Sequence, residues 1–219
     1  MADVAGISFN GRRLDPRFRE AGPGDARAIA GLHADSWRHH YRGAYSDSFL
    51  DGDVAGYLLA VWTDRLSAGD ARARTIVAEL GGELIGLAHT RLGDDATWGA
   101  LLDNLHVSYG LKRLRIGTRL LALTGQAVLD SAPASGRAVL DSAPASGRAV
   151  LDSAPASGLY LWVLEQNAAA QAFYTAKGGT CVERAAVPPP GGDPTRLNGT
   201  PMGLRFSWPD PSPLLSAAE

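Results

Sequence analysis

The sequence predicts an α/β (α+β) fold: a mixed, mostly antiparallel sheet with helices on both faces. Three observations predict it. RTIVAEL-GG-ELIGLAHTRL, residues 74–92, reads as two β-rich runs about a glycine turn, an antiparallel hairpin signal. LHVSYGLKRLRIGTRLL, 105–121, opens as a strand, turns through clustered positive charge and closes as a helix. LYLWVL, 159–164, then supplies an apolar strand, so the strand–helix–strand step from 101 to 164 implies one parallel pair with a right-handed crossover.

Taken in order, RFREA (17–21) is a short strand, and GPGD breaks the chain and starts a helix with Asp25 near its positive end. Ala26, Ile29, Leu32 and Ser36 give that helix one buried face. A weaker helical region covers 46–66. The hairpin at 74–92 follows, and WGALLDNLHVS (98–108) is the next strand. A helix begins near Gly117, with Ile116, Leu120, Leu123 and Ala127 on one face. LYLWVL is a central strand. Asn167 caps a helix that runs to Lys177, where KGG ends it. TCVER (180–184) and MGLRFSW (202–208) complete the strands, with a loop between them. Residues 1–16 and 209–219 read as tails around a domain at 17–208.

Bulk properties exclude several classes. At 45% hydrophobic and 20% charged, the 219 residues suit a globular chain with a substantial core. No apolar run approaches the roughly 20 residues that cross a membrane, and the first residues lack a signal-peptide pattern. Cys181 stands alone, so no internal disulfide forms and a cytoplasmic location is expected. A net charge of −2 argues against coating nucleic acid. No pair among the five histidines has metal-site spacing, and no metal is assigned.

The turn at 109–119 is an anion site in outline. A strand running into a helix start leaves backbone N–H groups pointing outward, and the helix dipole adds positive charge. Lys112, Arg113, Arg115 and Arg119 add four cations.

Three segments resemble the GNAT superfamily, the acyl-CoA-dependent N-acetyltransferases. FREAGPGDARAIAGLHADSWRHHYRG looks like the family's opening strand and first helix, and LDNLHVSYGLKRLRIGTRLL like its cofactor strand, turn and helix. LYLWVLEQNAAAQAFYTAKGG looks like the following strand and helix, in the form N-x-x-A-x-x-F-Y-x-x-x-G. The resemblance covers roughly 17–185. It implies that the parallel strands are splayed, that acetyl-CoA is the co-substrate, and that an acetyl group passes to a primary amine of a small molecule or peptide by direct attack. The net charge and the absence of a long apolar run argue against a nucleic-acid or membrane partner, and a homodimer is allowed. One departure stands out. In the register Lys112, Arg113, Leu114, Arg115, Ile116, Gly117, the final glycine is kept, but Arg115 replaces the first. Glycine there would let amides close on the pyrophosphate. Arginine can crowd that approach or add a charge-assisted contact.

The resemblance also distributes roles. Tyr174 would protonate the CoA sulfur, and Asn167 would touch the cofactor or cap its helix. Main-chain groups of Leu105, His106 and Val107 would bind the pantetheine arm as an added strand does, and the turn from Lys112 through Thr118 would hold the phosphates. For the base, Asp103 is ranked ahead of His106; simple alternation places Asp103 on the opposite face from Asn104 and His106. Trp37, His39, His40 and Tyr41 would line the acceptor groove, with Trp37 and Tyr41 gripping the amine by cation–π contact. The bland readings are a core Trp37, a Tyr174 packed beside Phe173 and a strand Cys181 with no partner. A second class of function, a non-catalytic acyl-CoA-binding or regulatory module, is favoured by Arg115.

AVLDSAPASGR occurs at 127–137 and 138–148, and a third time at 149–158 without its Arg. Each copy carries only two large apolar residues and a proline, so the copies form neither a solenoid nor one continuous helix. They read as a duplicated segment inserted in the loop between helix and strand.

Overall fold

The structure, a computed structural model, describes residues 7–9, 12–111, 114–131 and 157–216, with side chains from Asp15 onward. Strands β1 (Ile7–Phe9) and β2 (Arg12–Leu14) pair antiparallel outside the main sheet. This corrects the expected tail at 1–16: Phe9 pairs with Arg12, which leaves Asn10-Gly11, a strong hairpin dipeptide, between the strands.

The main chain of elements then runs β3 (Arg17–Glu20), α1 (Ala26–His40), α2 (Asp47–Asp51), α3 (Val54–Ser67), β4 (Ala73–Leu80), β5 (Glu83–Asp95), β6 (Gly99–Val107) and α4 (Ile116–Ser131). It continues through β7 (Leu159–Leu164), α5 (Ala168–Ala176), β8 (Thr180–Ala186), β9 (Met202–Trp208) and α6 (Pro213–Ser216). The seven-stranded sheet has the order β3-β4-β5-β6-β7-β9-β8. Every pairing is antiparallel except β6 with β7.

Helices cover both faces. Ile29, Leu32, Trp37, Leu50, Val54, Leu58 and Trp62 of α1, α2 and α3 pack on Val77 and Leu87. On the other face Ile116, Leu120, Leu121 and Val128 of α4, Tyr174 of α5 and Leu214 of α6 pack on Ala88, Leu102, Leu161 and Phe206. Gly86 sets how closely α4 approaches. A Cβ there would lie 3.2 Å from Ile116 Cγ2 and 3.1 Å from Leu120 Cδ1. Arg19 locks β3 to its neighbours through Asp25, 2.8 Å away, and Glu79. It holds both carboxyls below their ordinary values, chiefly by hydrogen bonding.

Two boundaries differ from expectation. The segment after Trp208 is not wholly a tail, because Leu214 is only 2% exposed against α4. The first repeat copy does not begin in a loop, since Ala127 through Ser131 form the last turn of α4. The rest of the repeat up to residue 156 lies outside the described residues.

Candidate functional site

The parallel pair makes the site. β6 and β7 are in register only at Ala100–Leu159 and Leu101–Tyr160, with the Ala100 N–H donating to the Gly158 carbonyl over 2.9 Å. Both strands continue, one to Val107 and the other to Leu164, without pairing further. They splay, and the gap between them is edged by the main chain of β6.

Which amides face that gap follows from the ladder with β5. The Ser108 N–H donates to the Ile85 carbonyl over 2.9 Å. Bonding direction alternates along a strand, so His106 also turns its main chain to β5, while Leu105 and Val107 turn theirs to the gap. His106 is therefore removed from the expected main-chain contacts, and Leu105 and Val107 remain. A β-bulge intervenes: His89 pairs with Asn104 but Thr90 with Leu102, so Asp103 is an extra residue. The bulge overturns simple alternation. Asp103 and Asn104 both reach one guanidinium, Arg65 Nη1 on α3, at 2.8 and 2.9 Å. Sequence reading missed Arg65, because nothing local marks a helix residue that serves a bulge on a distant strand.

At the end of the gap, α4 begins. The Arg119 N–H is the first to find a carbonyl in this helix, that of Arg115, at 2.9 Å. Among the described residues, the N–H groups of Ile116, Gly117 and Thr118 have no partner within the helix, as is general for a first turn. Arg115 is exposed and adopts φ +61°, the left-handed conformation that favours glycine. Arg115 thus holds a backbone shape that glycine adopts at lower cost. A Cβ on Gly117 would rest 3.7 Å from Val107 and 3.8 Å from Phe173, which ties the helix start to β6 and α5. Leu114 is half-buried against the core. Lys112 and Arg113 lie outside the described residues.

The Asn167 Oδ1 caps α5, accepting from the Ala170 N–H at 3.2 Å. Tyr174 is buried among Phe173, Phe206 and Trp208. Burial raises its pKa, and Tyr41 adds to the rise, so the phenol holds its proton firmly. Gln166, after β7, donates to the Arg42 carbonyl at 2.7 Å and so brings the end of α1 to the gap. Tyr41 sits there. Burial and the Asp103 carboxylate push its phenol up to about 12. Trp37 is a correction. It is buried, with ring neighbours Tyr45 at 5.0 Å and Tyr41 at 5.5 Å, and supports the aromatic wall from behind. His39 stacks on Tyr109 at 4.9 Å, with His40 beyond it at 6.2 Å.

The α1 face of β6 carries buried imidazoles. His106 Nδ1 lies 2.8 Å from the Ser36 hydroxyl, and its ring centroid lies 4.4 Å from that of His33. His33 Nδ1 accepts from the Trp62 indole N–H at 3.1 Å. His89 Nδ1 lies 2.8 Å from the Thr75 hydroxyl. Burial is the main cause that holds His33 well below its ordinary value and His89 down at about 4.

No protein-family model matches the chain, and no curated protein matches it in sequence. Solved structures do match its fold. A PaiA N-acetyltransferase from Thermoplasma acidophilum, in complex with coenzyme A, is 15% identical; the match covers 89% of this chain and 99% of that one, with a TM-score of 0.59. A GCN5-related N-acetyltransferase structure from Rhodopseudomonas palustris is 19% identical over 90% and 97%, with a TM-score of 0.59. NAA60 of Arabidopsis thaliana, in complex with acetyl-CoA, is 16% identical over 89% and 98%, with a TM-score of 0.55.

Proposed function

We propose that this chain, which has the fold of the GCN5-related N-acetyltransferases, moves an acetyl group from acetyl-CoA to a primary amine of a small molecule or peptide. The observation that carries this reading is the open edge of β6, with Leu105 and Val107 turned into the gap and the start of α4 beside it. An extended pantetheine arm adds to that edge as a strand would. Its diphosphate meets the amides of Ile116, Gly117 and Thr118 and the positive charge of Arg115. Two of the structural neighbours are complexes with coenzyme A or acetyl-CoA, which supports the same occupant here.

The chemistry then has three needs. The amine must shed a proton, the thioester oxygen needs a donor, and the leaving sulfur takes a proton. An amide on the gap edge supplies the second. Tyr174 supplies the third. A buried phenol is a weak acid, but a thiolate forming in the same apolar surroundings is also a stronger base than in water. Tyr41 lines the acceptor side.

Release of the CoA thiol from acetyl-CoA tests the reading, with an alkyl diamine, an arylalkylamine and a tripeptide bearing a free N-terminus as acceptors. Amine-dependent release upholds it. Calorimetric binding of acetyl-CoA without turnover would instead favour a non-catalytic acyl-CoA-binding or regulatory protein, the reading to which Arg115 at the phosphate turn points. Within an active enzyme, Tyr174→Phe is expected to lower kcat about tenfold or more and leave acetyl-CoA binding nearly intact. An unchanged kcat removes Tyr174 from the mechanism.

A further inference from the structure

We infer that Arg65 on α3 is a positioning residue: by holding Asp103 and Asn104 together it selects the bulged form of β6, and so decides which main-chain groups edge the gap. The inference rests on the transferase reading above, in which an extended arm adds to that edge.

At the paired end of β6, Ala100 turns its N–H to β7 and donates to the Gly158 carbonyl. Even-numbered residues therefore face β7 there, and unbroken alternation would carry the same parity to Asn104 and His106. The ladder with β5 has the opposite parity at the open end. His106 pairs with Leu87 and the Ser108 N–H donates to Ile85, so the odd-numbered Leu105 and Val107 face the gap. The extra residue at Asp103 makes the change. Side chains change parity with the main chain. Ala100 and Leu102 pack in the α4 layer, and so do Leu105 and Val107. Without the bulge, Asn104 and His106 would turn into that apolar layer instead.

A bulge gives up ladder pairing, so the bulged strand needs a compensating contact. Asp103 and Asn104 are consecutive, and in a regular strand consecutive side chains point to opposite faces, out of reach of one partner. Here Arg65 Nη1 reaches both, Asp103 Oδ2 at 2.8 Å and Asn104 Oδ1 at 2.9 Å. The double contact is open only to the bulged strand, so it favours that strand over the regular one. Arg65 is itself held in place. Its guanidinium lies over the Trp62 ring, 5.2 Å from the centroid, and buried Trp62 donates its indole N–H to His33 Nδ1 at 3.1 Å. Contacts thus run from the interior of the α1–α3 layer to the residue beside Leu105, and Arg65 acts through the strand.

Full-length variants and two probes test this. Acetyl-CoA carries the pantetheine arm, whereas ADP carries a diphosphate without it and would meet only the start of α4. Arg65→Met is expected to weaken acetyl-CoA binding about tenfold, the scale of one or two main-chain hydrogen bonds, and to leave the calorimetric Kd for ADP within about twofold. Asn104→Ala removes one of the two contacts and is expected to show the same split between the probes at smaller amplitude. A measurement without ligand reads the strand itself. Hydrogen exchange at the His106 amide is expected to speed about tenfold or more in Arg65→Met, while Val77 and Leu87 keep their protection. Wild-type acetyl-CoA affinity in Arg65→Met, an equal loss of both probes, or unchanged exchange at His106 overturns the proposal. The two claims separate cleanly: a wild-type protein that does not bind acetyl-CoA sinks the transferase reading, and the exchange comparison still decides whether Arg65 holds the bulge.

Discussion

Arg115 shows how a departure in sequence is read in structure. A left-handed conformation costs a non-glycine residue about 1–2 kcal/mol, and this arginine bears it at φ +61°. Arg115→Gly relieves that cost but gains unfolded-state freedom worth about 0.4–1 kcal/mol. The expected outcome in urea unfolding is a gain of between zero and about 1.6 kcal/mol. Acetyl-CoA affinity is expected to fall by about fivefold, because the backbone shape stays and one cation near the phosphates is lost. The buried histidines give a second residue-scale prediction. His89 stays neutral down to about pH 4 when folded, whereas its ordinary value is 6.5. Between those values the unfolded chain binds a proton that the folded chain refuses, so stability falls as pH drops through that window. A full pKa unit is worth about 1.4 kcal/mol, so a downward shift of this kind is large enough to read in a melting curve. Melting temperatures from pH 7 to 4 are expected to fall less steeply in His89→Gln than in wild type.

At the scale of elements, most of the sheet was legible and its irregularities were not. The hairpin at β4–β5, the strand β7 and the cap at Asn167 follow from glycine punctuation, an apolar run and an Asn at a helix start. The bulge at Asp103 leaves no trace in the local pattern, because a pattern of period 2 presumes no inserted residue. Simple alternation therefore puts Asp103 on the wrong face, and nothing local marks Arg65 as its partner. The hairpin at β1–β2 was missed although Asn10-Gly11 announces it. Leu214 was missed because a buried leucine within a Pro- and Ser-rich end has no periodic neighbours. Gly86 is the element-scale test. Gly86→Ala places a methyl against Ile116 and Leu120, and overpacking of this kind costs about 1–3 kcal/mol. A shift of the start of α4 by a few tenths of an ångström would accommodate the methyl, and calorimetry is then expected to show weaker acetyl-CoA binding than in wild type.

Over the whole molecule, the repeat is the largest feature with no assigned work. Deleting 132–153 removes two copies' worth of sequence and leaves every described residue in place. Loop-closure entropy changes by only about 0.6 kcal/mol for each halving of length. The shortened chain is expected to melt at or above the wild-type temperature and to bind acetyl-CoA equally well; a chain that fails to fold would show that the repeat carries structure. The splayed strands have a wider consequence. The two halves of the sheet meet at β6 and β7 through just two paired positions near one end, like a book bound at a single stitch. The helices packed beneath bridge the halves by apolar contact, but not by main-chain hydrogen bonds. On the proposed reading, a molecule that enters as a reactant adds such bonds and serves, for as long as it stays, as a further splint between the two covers.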